Sequence, residues 1–235
     1  MASGDGGHRL VARAGRGRAR VVLGVPAPRE PRPGRACRGP AVAADRKASV
    51  VLETLVVKGR APKTGYDRAS WGDWADPDGN GCDTRNDILN RDLKSITYKY
   101  ANDNCTVMTG VLVDPYSGTS IDFLRGVGTS SLVQIDHVVA VSDAWQKGAF
   151  KWGSSTKVSF YNDPLNLLAV QGRLNSQKGD GDAATWLPPL KSYRCAYVAR
   201  QIAVKAKYAI WVTAAEKTAM KTILAKCPEQ LLPKG

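Results

Sequence analysis

The sequence of 235 residues lacks three features that would each place it in a familiar class of protein. No apolar run approaches the roughly 18 residues that a membrane-spanning helix requires, so we expect no membrane association. There is no Cys-x-x-Cys pair, and His137 is the only histidine after Arg60, so the usual zinc-site spacings are missing. The chain up to Arg60 contains no Phe, Trp or Tyr. A folded core is therefore expected in the later part of the chain.

The positive charge is concentrated at the start of the chain. The formal net charge is +13, and the stretch from Met1 to Arg60 contributes +9 of it, from 13 Lys and Arg against 4 Asp and Glu. The same stretch holds 9 of the 23 glycines and 5 of the 13 prolines. Such a composition buries too little apolar area to offset about 1–2 kcal/mol of backbone entropy per residue. We predict a disordered Arg/Gly/Pro-rich segment over residues 1–47 and one folded domain over residues 48–235.

Two interpretations of this basic segment are open. It could be an electrostatic arm for nucleic acid, or a leader without a selected function, and the lack of interleaved aromatic residues favours the second. The apolar stretch Val21–Val25 is too short for the core of a secretory leader, so this start does not encode export.

The cysteines nevertheless favour an exported protein. An even number of four lies in the predicted domain: Cys82, Cys105, Cys195 and Cys227. Pairing of neighbours would close loops of about 23 and about 32 residues, although spacing alone does not determine the connectivity. Buried thiols in a cytosolic protein are the alternative. We favour disulfides and a secreted, extracellular location.

The hydrophobic pattern predicts a mixed α+β fold. A helix is expected over residues 85–95, and a β-hairpin around the turn Asp114–Gly118. Short strands are expected over residues 132–135 and 164–170, followed by a short helix over 173–178. A long helix over 193–211 precedes a last helix that begins at the capping box of Thr213 and Glu216.

A small set of polar residues coincides with these short elements. Asp136 and His137 end the first strand, Asn166 lies in the second, and Asn175 is carried by the short helix. This Asp-His, Asn, Asn pattern resembles the ββα-metal site of HNH nucleases. The stretches 136–145, 162–170 and 175–186 are similar to actinobacterial HNH endonuclease family proteins, which are related to the C-terminal domain of GmrSD-type restriction endonucleases.

The resemblance covers about residues 60–228 and implies both a fold and a chemistry. The fold would be a ββα-metal (His-Me finger) core with an added β-hairpin and packed C-terminal helices. The activity would be metal-dependent hydrolysis of phosphodiester bonds, with His137 as the general base. Asp136 and Asn175 would bind Mg²⁺ or Mn²⁺, since both offer hard oxygen ligands. Asn166 would orient His137 without binding the metal.

The expected partner is nucleic acid, DNA rather than RNA, cut with low sequence specificity because no separate reader domain is visible. A monomer is expected. The segment between His137 and Asn166 could be a substrate-facing insertion or padding. The cations expected to contact phosphate are Arg85, Lys178, Arg194 and Arg200.

Two other functions are weighed against the nuclease. The first is a disulfide-braced, non-catalytic module that binds nucleic acid or a surface. The second is a calcium-stabilised scaffold, which rests on the loop-like pattern from Asp76 to Gly81. In that pattern Asp87 occupies the position of the usual bidentate Glu, which favours an ordinary Asp/Gly turn.

Overall fold

The helices and strands follow the predicted α+β pattern over residues 46–102 and 104–234, which the computed structural model of the protein describes. The predicted disordered segment lies outside these residues, apart from Arg46 and Lys47. The described residues belong to one compact unit, residues 38–235. The helices are α1 (Ala48–Thr54), α2 (Thr84–Asp92), α3 (Val141–Gln146), α4 (Ser154–Tyr161), α5 (Gly172–Lys178), α6 (Arg194–Lys207) and α7 (Ala214–Leu224). The strands are β1 (Leu93–Tyr98), β2 (Val107–Val113), β3 (Ser120–Leu124), β4 (Val133–His137) and β5 (Leu167–Gln171).

The strands form two small antiparallel sheets. The first has the order β1-β2-β3, and the second consists of β4 and β5. The predicted hairpin is confirmed, because β2 pairs with β3 up to Val113 opposite Ser120. Its turn closes at Gly118, whose φ of +77° lies in the region that favours glycine.

The second sheet and α5 form a strand-strand-helix unit. Asp136 pairs with Leu168, and His137 with Leu167. Helix α5 starts directly after β5 and packs on both strands. The close junction requires a glycine, because a Cβ on Gly172 would lie 2.0 Å from the carbonyl oxygen of Ser131. The α+β class is thereby confirmed, and the last residues of β4 lie beside α5.

Two apolar clusters pack on opposite faces of the β4–β5 sheet. The larger joins α1, α3, α4, α6 and α7, and includes Leu168 and Val170 of β5. The smaller joins α2 with the three-stranded sheet, and includes Leu167 and Ala169. Successive residues of a strand face opposite sides, so a strand buried on both faces is apolar throughout. This explains the continuous Leu-Leu-Ala-Val run in β5.

Two disulfide bonds brace the fold. Cys82 is bonded to Cys105 and Cys195 to Cys227, so each cysteine is joined to its neighbour in sequence. The first bond connects the chain before α2 to the chain before β2. The second connects the first turn of α6 to the chain after α7. Helix α7 begins at the predicted capping box, in which the Thr213 hydroxyl accepts from the Glu216 N–H.

Several element boundaries differ from the sequence prediction. The helix expected to reach residue 95 ends at Asp92, and β1 follows without a loop. The helix expected to reach residue 211 ends at Lys207. The segment between His137 and Asn166 contributes to the folded core, since it contains α3 and α4 and buries Trp145. Among the described residues, no helix has both the length and the apolar character needed to cross a membrane.

Six charged side chains, five of them buried and the sixth partly exposed, form a buried charge cluster between α3, α6 and α7. Lys147 bonds to Asp143 at 2.7 Å, Asp182 at 2.8 Å and Glu216 at 2.7 Å. Lys205 also bonds to Asp143 and Glu216, and Arg60 to Asp143 and Asp182. Each cation has at least two carboxylate partners. The cluster therefore carries three charges of each sign, which is how buried ions are tolerated.

The cluster shifts the pKa values of Asp182 and Lys205. Burial would raise the pKa of Asp182, but its bond to Lys147 holds that pKa at about 2. Burial would lower the pKa of Lys205, but Asp143 and Glu216 raise it above its ordinary value. These groups therefore stay ionised around neutral pH.

Candidate active site

His137 ends β4 in an aromatic enclosure and is 5% exposed. Its ring stacks on Trp74, with ring centroids 5.8 Å apart and an angle of 13° between the planes. The ring of Tyr161 lies 4.5 Å from it. Burial lowers the pKa of His137 to about 4, and the nearby positive charges of Arg68 and Lys178 act in the same direction. The imidazole is therefore neutral at pH 7.

The hydrogen bonding of His137 determines its tautomer. Nε2 lies 2.9 Å from the backbone carbonyl oxygen of Tyr161. A carbonyl oxygen can only accept, so Nε2 carries the proton and donates it. In a neutral imidazole Nδ1 then holds the free lone pair. Within the part of the chain that the structure describes, no hydrogen bond occupies Nδ1. His137 can accept a proton at that atom.

The carboxylate of Asp136 is held by two buried side chains. Lys178 donates to Oδ1 at 2.8 Å and also to the His137 carbonyl oxygen at 2.8 Å. The Tyr116 hydroxyl donates to Oδ2. Burial raises the pKa of Tyr116 well above its ordinary value, and the Asp136 charge raises it further, so the phenol stays protonated. The carboxylate is consequently fixed in orientation, with one hydrogen bond on each oxygen.

The two asparagines have different surroundings. Asn166 is fully buried, and its side chain bonds to both backbone groups of Val139, accepting from N–H at 2.8 Å and donating to C=O at 3.3 Å. It therefore fixes the chain just after His137. Asn175 donates from Nδ2 to Gln134 Oε1 at 2.8 Å, which leaves its own Oδ1 oriented away from Gln134.

A single pocket of about 390 Å³ brings these groups together. Asp136, His137 and Asn175 all line it. Alternation along β4 turns Gln134 and Asp136 toward α5, where Asn175 and Lys178, three residues apart, share one face. Other polar residues on its wall are Lys63, Arg68, Ser142 and Asp180.

The donor set of this pocket fits a small, hard divalent cation. Asp136 and Asn175 offer oxygen atoms, and each carboxylate oxygen of Asp136 retains a lone pair beyond its one hydrogen bond. Mg²⁺ commonly binds through one or two protein oxygens and keeps several waters. Across residues 46–102 and 104–234 no three His, Cys, Asp or Glu side chains converge as a metal site. The protein would thus supply two ligands at most.

The predicted phosphate contacts are not brought together in this pocket. Arg85 is half-buried, with Nη2 3.5 Å from the Val133 carbonyl oxygen. Arg194 and Arg200 donate to the carbonyl oxygens of Pro188 and Leu165. Lys178 is buried against Asp136, so it orients that carboxylate and has no free face for a substrate. These four stay predictions, and the cations that line this pocket are Lys63 and Arg68.

Several residues of the site were not indicated by the sequence, among them Tyr116, Trp74 and Arg68. Tyr116 comes from the hairpin turn, which Asp114 ties to β5 by accepting from the Gln171 N–H at 2.9 Å. Trp74 and Arg68 come from the chain before α2. The turn motif around Tyr116 was visible in the sequence, but nothing local signalled that its ring would reach Asp136. No pattern in the sequence announced Trp74 or Arg68.

The loop from Asp76 to Gly81 is built as a turn. The Asp76 carboxylate accepts from the backbone N–H of Asn80 at 3.1 Å and of Gly81 at 2.9 Å. These bonds are those of an Asp/Gly turn, the interpretation that the sequence favoured.

Comparison with known proteins identifies the family. The family described as GmrSD restriction endonucleases, C-terminal domain, matches residues 83–223, which include Asp136, His137, Asn166 and Asn175. The chain belongs to this family. The relation predicted from the residue pattern is thereby confirmed.

A curated relative of this GmrSD C-terminal domain protein matches most of the chain. An uncharacterized secreted protein of Arthroderma benhamiae is 36% identical over 209 residues, which cover 88% of this chain and 94% of the relative. This relative is fungal, so it does not bear out the actinobacterial part of the resemblance. Together with the two disulfide bonds it confirms the expected secreted, extracellular location. No solved structure matches the chain.

Proposed function

We propose that the protein is a metal-dependent endonuclease that hydrolyses phosphodiester bonds of nucleic acid. The observation that carries the proposal is the hydrogen bond from His137 Nε2 to the Tyr161 carbonyl oxygen, beside Asp136 and Asn175 in one pocket. A neutral histidine with one fixed proton and one free lone pair is suited to general-base catalysis. Family membership supports a nuclease-related function.

The roles of the residues follow from their contacts. His137 Nδ1 accepts a proton from the water that attacks the phosphorus. Nε2 keeps its proton throughout and donates it in a hydrogen bond to the Tyr161 carbonyl oxygen, which holds the ring in place. Asn166 fixes the chain after His137, and Lys178 with Tyr116 fixes Asp136. Trp74 and Tyr161 cover the ring and keep bulk water from it.

Asp136 and Asn175 would hold the divalent cation, Mg²⁺ or Mn²⁺, in a ββα-metal core formed by β4, β5 and α5. When bound, the cation supplies positive charge that stabilises the negative charge of the transition state. The choice of metals rests on the hard oxygen donors of this pair. We propose DNA as the substrate, with low sequence specificity, and a monomeric enzyme.

The decisive experiment is a plasmid-cleavage assay of the purified full chain. Wild type is expected to nick or linearise plasmid with Mg²⁺ or Mn²⁺, to lose activity in EDTA, and to regain it when metal is added back. His137→Ala should lose about 10²- to 10⁴-fold, the usual contribution of a general base. Lys94→Ala, at an exposed position on β1, is the control and should match wild type.

The outcomes also separate the nuclease from the non-catalytic binding module. If the protein were a module that only binds nucleic acid, wild type and His137→Ala would retard plasmid equally in a mobility-shift assay. Neither protein would cleave it. A loss of only a few-fold in His137→Ala would contradict His137 as the base. An intact plasmid with every metal would contradict the nuclease function itself.

A further inference from the structure

Among the described residues that line the pocket, one cation has no ion-pair partner. Lys63 and Arg68 both line it. Lys63 forms an ion pair with Asp180 at 3.1 Å. Arg68 is exposed and has no carboxylate within ion-pair distance among residues 46–102 and 104–234. Its contact is with the Tyr161 ring, whose centroid lies 5.5 Å from the guanidinium carbon. The guanidinium therefore keeps all of its N–H donors available.

The position of Arg68 is tied to that of His137. The Tyr161 carbonyl oxygen accepts a hydrogen bond from His137 Nε2, and the centroid of the Tyr161 ring lies 4.5 Å from that of the imidazole. Arg68 packs on the same tyrosine ring. Arg68 and His137 also line the same pocket. A ligand atom beside His137 is thus within the field of this guanidinium.

Lys63 differs from Arg68 because it compensates the negative charge of Asp180. Asp180 lines the pocket, where a bare carboxylate would repel an anionic ligand. Ser142 Oγ donates to Asp180 Oδ2 at 2.7 Å and Lys63 Nζ lies 3.1 Å from the same oxygen. These two bonds lower the pKa of Asp180 and compensate its charge. Lys63 is consequently occupied, and Arg68 remains as the binding cation.

We propose that Arg68 binds the non-bridging oxygens of a nucleic-acid phosphate at the scissile position, and so determines substrate affinity in this pocket. The inference rests on the proposed nuclease function. A guanidinium can donate two parallel hydrogen bonds to a phosphate, which an ammonium cannot reproduce. Arg68 precedes residues 83–223, so this contact comes from a part of the chain outside the family-matched segment.

The test measures steady-state cleavage of a labelled double-stranded DNA oligonucleotide over a series of NaCl concentrations. Arg68→Ala should raise KM by about 10-fold, with a smaller change in kcat, because one phosphate contact is lost. The slope of log affinity against log salt should fall by about 1. Arg68→Lys should recover part of the affinity. Lys94→Ala removes an exposed charge on β1 and should change neither quantity.

Binding measured without cleavage keeps this inference separate from the nuclease proposal. The same oligonucleotide is titrated, by fluorescence anisotropy, into His137→Ala and into His137→Ala combined with Arg68→Ala. A weaker affinity and a smaller salt slope in the double variant support the phosphate contact even if wild type does not cut DNA. Equal affinity and slope overturn it, as does a loss confined to kcat. Arg68→Gln, which keeps most of the side-chain length, replaces Arg68→Ala if that variant does not fold.

Discussion

His137 illustrates how strongly the chemistry of one residue depends on distant parts of the chain. The Asp-His pair could be recognised in the sequence, and an ordinary pKa near 6.5 already made it a candidate base. The structure encloses the ring with Trp74 and Tyr161, which come from well before and well after it in the sequence. This enclosure lowers the pKa to about 4 and fixes the tautomer, neither of which local sequence could specify.

The lowered pKa of His137 predicts a dependence of stability on pH. The unfolded chain, with an ordinary histidine pKa near 6.5, binds a proton that the folded protein does not bind until about pH 4. This contribution to stability is complete above pH 6.5 and is lost as the pH falls toward 4. We expect about 2 kcal/mol of it to be lost by pH 5.

Urea unfolding of the metal-free protein in EDTA, between pH 7 and pH 5, measures this loss. His137→Gln cannot take up the proton, so its unfolding free energy should decline less over the same range. Parallel declines in wild type and His137→Gln would contradict the assignment, because other titrating groups are common to both proteins.

Lys178 should contribute more to the unfolding free energy than lysines on the surface do. Removing its charge in Lys178→Met leaves the Asp136 carboxylate buried with only the Tyr116 hydroxyl as a side-chain partner. Breaking a buried ion pair from one side costs about 3–5 kcal/mol. Urea unfolding of Lys178→Met, Asp136→Asn and the double variant tests this coupling. The summed losses of unfolding free energy in the two single variants should exceed the loss in the double variant. Simple additivity would contradict the coupling.

At the level of elements, regular patterns were predictable and junctions were not. The β2–β3 hairpin and α7 could be predicted because a turn motif and a capping box mark them locally. The end of α2 was predicted too late, because Leu93 and Ile96 continue the helical spacing, whereas both lie in strand β1, which pairs with β2 from Leu93 onward. The paired strands β4 and β5 were predicted separately, and helical character was expected over residues 138–145, where α3 lies, but α4 was not predicted.

Each disulfide bond restrains a different group of elements. The Cys195–Cys227 bond holds the start of α6 to the chain after α7, and closes a loop of 32 residues. Replacing both cysteines with serine should lower the unfolding free energy by about 3–4 kcal/mol in the chain-entropy model. Thermal and urea unfolding of this variant test the expectation. The matched comparison replaces Cys82 and Cys105 with serine. Because that bond closes a shorter loop of 23 residues, its removal should lower the unfolding free energy slightly less.

Across the whole molecule, the buried charge cluster connects parts of the chain that are far apart in sequence. Lys147 lies at its centre, with a fully buried ammonium and three carboxylate partners from α3, α7 and the chain after α5. Lys147 lies in the segment between His137 and Asn166, for which the sequence left a substrate-facing insertion open. Only the packing of three helices reveals that its charge is needed inside, because no periodicity distinguishes a buried lysine from an exposed one.

Removing that central charge should destabilise the whole fold. Lys147→Met leaves three carboxylates facing two cations, and we expect a loss of about 3–5 kcal/mol in unfolding free energy. Lys221→Met is the control, because Lys221 and its partner Glu53 are about half exposed and such pairs contribute about 0–1 kcal/mol. Urea unfolding of both variants makes the comparison. Equal effects of the two substitutions would contradict a structural role for the cluster.

The two disulfide bonds have a practical consequence for where a recombinant fragment should start and stop. Cys82 lies one residue before the family-matched segment 83–223, and Cys227 lies four residues after it. A fragment cut to the family limits would leave Cys105 and Cys195 as orphan thiols, free to crosslink two copies. It would also lose Trp74, which shields His137. A fragment suitable for expression therefore extends beyond both limits and includes at least Trp74 and Cys227.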